Sequence, residues 1–157
     1  MIGIIVTGHG QFATGLVSAL KLLAGEPEAL LAVDFEAGDD IGRLEEKLKA
    51  AIGSLGSGND EAEGRESGSS DGILVMTDLR GGSPFNVASR LSMERPEVEV
   101  LTGTNLGMLV EAYMTRQMAS DVKGLAVSTA ASGKDQVGYF EKELVGSADD
   151  EDEIELD

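Results

Sequence analysis

The chain of 157 residues sets 29 Asp and Glu against 12 Lys and Arg, for a formal charge of −17, and it holds one histidine and no cysteine. That length suits one domain with a single core, and the negative field argues against nucleic acid and anionic lipid surfaces as partners. Without cysteine there is no disulfide, thiolate chemistry or zinc finger, and no apolar run approaches the ~18 residues of a membrane span, so a cytoplasmic protein is expected.

The chain opens on Met1-Ile2-Gly3-Ile4-Ile5-Val6, which lacks a basic leader and reads as a strand. Ile2 to Thr7 is a continuous apolar run of the kind found in a strand covered on both faces, and it ends at Gly8. From Gln11 to Ala24, Phe12, Leu16, Leu20 and Leu23 recur at helical spacing, and Gly25 and Pro27 supply the stop. Leu30 to Phe35 predicts a second strand. Ile41, Leu44, Leu48, Ile52 and Leu55 then mark one helical face, with Asp39 or Asp40 as its cap. Ile73 to Thr77 predicts a third strand, followed by Ser83 at an N-cap, Pro84 at the first helical position, and Phe85, Val87, Ala88 and Leu91. Val98 to Leu101 is a short fourth strand, and Leu106, Leu109, Val110, Tyr113 and Met114 give a fourth helix. Strand and helix alternating four times predict an α/β fold of three layers, a doubly wound parallel sheet with right-handed crossovers.

Two stretches break the pattern. Gly, Ser, Asn and acidic residues fill 57–71, read as a long mobile surface loop without function. Beyond a domain over 1–140, residues 141–157 form an acidic tail expected to be disordered. Its Asp149 to Asp157 segment holds seven carboxylates, and removing them takes the formal charge from −17 to −10.

In a parallel sheet ligands bind beyond the carboxyl ends of the strands, so the loops to inspect are fixed. The first is Thr7-Gly8-His9-Gly10, which holds the one histidine between two glycines and just before a helix. Glycines there leave the imidazole uncrowded and let N–H groups turn toward an anion, while the helix start adds positive potential. A neutral imidazole is a nucleophile once a partner fixes its proton, and Asp78, closing the third strand, is placed to do so. Gly81-Gly82-Ser83-Pro84 reads equally well as a turn with a capped helix and as a cradle for phosphoryl oxygens. There is no GxxxxGK[ST], no GxGxxG and no histidine cluster for a metal, so neither nucleotide nor metal cofactor is expected. A hydrolase built from Ser83, His9 and Asp78 is conceivable, but the GxSxG elbow is missing.

A strand ending in Thr-Gly-His-Gly, Asp78 at the end of the third strand, and Gly81-Gly82-Ser83-Pro84-Phe85-Asn86 together resemble the mannose-family IIA component of the bacterial phosphoenolpyruvate:sugar phosphotransferase system. The resemblance covers about residues 1–140. It implies that His9 is phosphorylated by the phosphocarrier HPr and passes the group to a IIB component, with Asp78 supporting the ring and Gly10, Gly81, Gly82 and Ser83 around the phosphoryl group. It implies parallel strand order 2-1-3-4 and a homodimer exchanging a fifth, antiparallel strand. After a helix over Asp121 to Ser132, Gln136 to Phe140 occupies the matching place. The membrane subunits IIC and IID would be indirect partners and would hold the sugar pocket. The loop over 57–71 and the acidic tail depart from the family pattern. Alternatives are a regulatory phosphohistidine module and the related subunit serving dihydroxyacetone kinase, although the Gly-Gly-Ser-Pro-Phe-Asn stretch favours the sugar-transport branch.

Overall fold

The computed structural model describes residues 1–56 and 71–142. The loop expected over 57–71 and the tail expected over 141–157 therefore fall almost wholly outside the described residues. In chain order the elements are β1 (Gly3–His9), α1 (Phe12–Ala24), β2 (Leu30–Phe35), α2 (Ile41–Gly56), β3 (Ile73–Thr77), α3 (Ser83–Met93), β4 (Val98–Leu101), α4 (Leu106–Thr115) and α5 (Val122–Asp135). The four strands are parallel in the order β2-β1-β3-β4, as the resemblance implies.

The alternation of side chains along the central strands builds two cores. Ile4 and Val6 of β1 lie with Leu74 and Met76 of β3 against Leu20, Leu109 and Leu125 of α1, α4 and α5. Ile5, Ile73 and Val75 point the other way, onto Leu44, Leu48 and Leu91 of α2 and α3. Both faces are covered, which is why β1 and β3 read as unbroken apolar runs. Each fully buried Ile or Leu here contributes about 1.5–3 kcal/mol relative to exposure.

The helices differ in detail from their sequence patterns. In α1 the buried residues are Ala13, Val17 and Leu20, while Leu23 is 65% exposed. Small side chains let a helix lie close on a sheet, and an alanine gives the hydrophobic pattern little weight. In α4 the buried residues are Met108, Leu109 and Ala112, and Met114 is exposed. Asp40, not Asp39, caps α2, accepting from the Arg43 N–H at 2.7 Å. The N-cap of α3 is Gly82 rather than Ser83, and Ser83 opens the helix ahead of Pro84. Residues 136–140 form no strand in this single chain, and Val137, Tyr139 and Phe140 are exposed there.

The far end of the sheet is closed by Arg116, which is buried and bonds the carbonyls of Ile2 at 3.1 Å, Ala29 at 3.2 Å and Glu28 at 2.6 Å. Its guanidinium also stacks 4.6 Å above the Tyr113 ring. Burial lowers its pKa below the ordinary arginine range, opposed by attraction to Tyr113 and Glu28. Among the described residues no helix is long and apolar enough to cross a membrane.

Candidate phosphoryl-transfer site

The register of the sheet brings His9 and Asp78 together. Thr7 on β1 lies beside Thr77 on β3, so the residues that follow each strand leave the sheet as neighbours. Asp78 Oδ2 accepts two hydrogen bonds from one residue, His9 N–H at 2.8 Å and His9 Nδ1 at 2.8 Å. A carboxylate can only accept, so the neutral ring holds its proton on Nδ1 and keeps the lone pair of Nε2 free. The Asp78 side chain is 9% exposed and the His9 side chain 45%, an arrangement that buries the orienting group and leaves the ring open to solvent. Burial pushes the Asp78 carboxyl up. Hydrogen bonds from His9 N–H, the His9 ring and Leu79 N–H, with attraction to His9, outweigh that and leave it below 3.8.

Close approach explains two glycines. A Cβ on Gly8 would lie 2.5 Å from Phe12 Cδ1 and 2.9 Å from Asp78 Cγ. A Cβ on Gly82 would lie 2.9 Å from His9 Cε1, the carbon between the two ring nitrogens. The N-terminus of α3, with its partial positive charge, therefore lies against the imidazole edge at Cε1.

Of the four other site residues expected from sequence, Gly10 follows His9 in its loop, Gly82 approaches the ring, and Gly81 and Ser83 flank Gly82 at the start of α3. Gly10 N–H donates to Phe35 O at 2.8 Å, and Gly82 N–H donates to Leu79 O at 3.1 Å, so neither amide is free for an anion. Among the described residues, Ser83 has no hydrogen-bond partner for either its hydroxyl or its N–H, and the Gly81 N–H has none. Ser83 and Gly81 are the available donors.

Sequence reasoning missed several supporting residues. Phe35 packs edge-on against the His9 ring, with centroids 5.7 Å apart and planes at 63°. Its only sequence signal was its place at the end of a strand, and the β1–β2 register sets it beside His9. Gln11, the N-cap of α1, makes no side-chain cap, and Asp34 of β2 acts instead, accepting from Thr14 N–H at 3.1 Å and Thr14 Oγ1 at 2.7 Å. Lys47 stitches the β2–α2 loop together, donating to Asp39 at 2.6 Å, Glu36 at 3.3 Å and the Asp34 carbonyl at 3.2 Å.

A family model described as the fructose IIA component of the phosphotransferase system, EIIA-man, matches residues 3–129. The chain belongs to the mannose-type IIA family. It is 33% identical over 135 residues to the mannose-specific EIIAB component of Escherichia coli, an alignment that takes in 84% of this chain and 38% of the relative. The chain thus spans well under half the length of that protein. It is 32% identical over 117 residues to the fructose-specific EIIA component of Bacillus subtilis, covering 74% of this chain and 72% of that one. Among solved structures, phosphotransferase system component EIIA from Streptococcus agalactiae superposes with a TM-score of 0.75 at 34% identity, covering 88% of this chain and 97% of that one. The mannose/sorbose-specific IIA subunit from Enterococcus faecalis superposes with a TM-score of 0.74 at 26% identity, covering 88% and 94%. The resemblance noted from the Thr-Gly-His-Gly and Gly-Gly-Ser-Pro-Phe-Asn motifs therefore stands, and so does the sheet order it implied.

Proposed function

We propose that this IIA chain is a phosphoryl carrier of a sugar-transport phosphotransferase system, taking the group from phospho-HPr onto His9 Nε2 and passing it to a IIB component. The observation that carries the reading is the 2.8 Å contact from His9 Nδ1 to Asp78 Oδ2, beneath a ring that is 45% exposed. The electron pair of Nε2 forms the new N–P bond, and the bond from phosphorus to the donor breaks with its pair leaving on the donor. The ring then holds positive charge, which the Asp78 carboxylate offsets. Ser83, through its hydroxyl and N–H, and the Gly81 N–H face the phosphoryl oxygens at the positive end of α3, while Gly10 and Gly82 make room for the ring and the group. Onward transfer is the same displacement with IIB as acceptor, and the sugar is met at the membrane subunits IIC and IID.

The carrier works in the cytoplasm as a homodimer, in which 136–140 of each chain crosses to pair with the open β4 edge of the other. Support comes from the exposure of Val137, Tyr139 and Phe140 in the single chain, since such side chains are costly in water and an unpaired strand edge invites pairing.

The test is to incubate the chain with labelled phosphoenolpyruvate, enzyme I and HPr, then add the cognate IIB. Label stable to alkali and labile to acid is expected on wild type, absent from His9→Ala, and lost from wild type when IIB is added. Label that persists on a folded His9→Ala chain overturns the assignment.

A further inference from the structure

Residues Leu79 to Gly82 close a turn through the 3.1 Å bond from Gly82 N–H to Leu79 O, with Gly81 at φ 79 in its third position. A positive φ at that place makes the turn type II and explains Gly81. Arg80 occupies the second position, exposed, two residues before Gly82, whose backbone abuts the His9 ring.

What distinguishes Arg80 is its place in the Leu79–Gly82 turn, since Arg95, Lys123, Lys134 and Lys142 are likewise without a carboxylate partner among the described residues. Lys21, Arg43, Lys47, Lys49 and Arg90 each pair with a carboxylate, and Arg116 is buried beneath backbone carbonyls. Arg80 pairs with no carboxylate among the described residues, although the sequence holds 29 of them. Lys47 of α2, which reaches the β2–α2 loop, is held by Asp39 and Glu36. A chain at −17 repels an incoming phosphoryl group, and salt screens only the part of that field beyond about 8–10 Å. Local cations decide what remains.

We propose that Arg80 is a catalytic residue of the transfer, its guanidinium closing on the phosphoryl oxygens as the group passes to His9 Nε2; this rests on the carrier reading. The bond from phosphorus to the donor breaks and the Nε2 bond forms, while the equatorial oxygens keep their negative charge throughout. The planar fork of Arg80 meets two of those oxygens at once and moves no proton. Unpaired in the resting chain, the guanidinium gives up no ion pair to reach them. Leu79, 62% exposed beside it, gives a docked donor an apolar contact that excludes water from the same rim.

The experiment compares single-turnover labelling of wild type, Arg80→Gln and Arg80→Lys, from phospho-HPr and from the small donor phosphoramidate, which has no protein surface. Arg80→Gln is expected to lower the rate at saturating donor about 30-fold with either donor, and Arg80→Lys to recover part of it. The loss is expected to persist as salt is raised. Equal rates in Arg80→Gln overturn the proposal. So does a loss seen only with phospho-HPr and erased by salt, because the guanidinium then steers the partner without touching the phosphoryl group. A wild-type chain that takes label from neither donor overturns the carrier reading, and this proposal with it.

Discussion

Replacing Asp78 by asparagine keeps the shape of the side chain and removes its charge. Asp78 Oδ2 accepts from His9 N–H and from His9 Nδ1, both at 2.8 Å, and the side chain is 9% exposed, so water screens neither bond well. A hydrogen bond to a charged group contributes about 1.5–3 kcal/mol against about 0.5–1.5 for a neutral pair. The main-chain bond acts on stability and the ring bond on reactivity, where the positive charge of the phosphorylated ring enlarges its share. About 2–3 kcal/mol lost from the transition state corresponds to roughly 30- to 150-fold in rate. If the amide turns its NH2 toward Nδ1, the ring proton moves to the nucleophilic nitrogen and the loss grows. The assay is the time course of labelling from phospho-HPr, with circular dichroism to establish that Asp78→Asn is folded. A folded variant within threefold of the wild-type rate refutes the orienting role. The pH dependence has a fixed sign. With its folded pKa below 3.8, Asp78 stabilises the fold fully above that value and loses its contribution as pH falls through the folded pKa. Urea midpoints of wild type and Asp78→Asn therefore differ near neutrality and converge in acid.

Gly82→Ala places a Cβ 2.9 Å from His9 Cε1 and 3.3 Å from Leu79 O, so labelling is expected to slow at least about tenfold while stability falls by about 1–3 kcal/mol. Rapid labelling of Gly82→Ala would show that the ring sits elsewhere in the working protein. Arg116→Met keeps the aliphatic stem but removes the donor to the buried Ile2 carbonyl and to the part-buried carbonyls of Glu28 and Ala29, the last of which keeps the Ile4 N–H, with an expected loss of about 2–4 kcal/mol and a Tm lower by roughly 5–15 °C. Its labelling rate at low temperature should match wild type, because the guanidinium lies at the opposite end of the sheet from His9. A chain stopped after residue 146 is expected to sediment as a dimer and one stopped after Gly133 as a monomer. Equal behaviour of the two places the dimer contact outside 134–146.

Much of the fold is legible from local chemistry. The runs Leu30 to Phe35, Ile73 to Thr77 and Val98 to Leu101 match β2, β3 and β4 end for end, because dense apolar residues bounded by polar or glycine-rich segments mark a strand in a covered sheet. Helix existence is equally legible, whereas the buried stripe of α1 is not. Ala13 packs closely because it is small, and that follows from contact with the sheet rather than from its own hydrophobicity.

The candidate site divides along the same line. Sequence by itself determined that the chain alternates strand and helix, that its one histidine falls in a glycine-flanked loop after the first strand, and that Asp78 and Ser83 follow the third. Periodicity along the chain fixes which loops share the carboxyl end of the sheet, because every parallel strand leaves on the same side. It does not fix which loops are neighbours. The motifs suggested that order, and only the tertiary structure decided it, by setting β1 between β2 and β3 in a register that places Asp78 under the imidazole and Phe35 at its edge. The same holds for Asp34 on Thr14, Lys47 on Asp39 and Arg116 on Ile2, Ala29 and Glu28. A hydrogen bond depends on distances of a few tenths of an ångström between side chains far apart in sequence, and those distances exist only once both cores have packed.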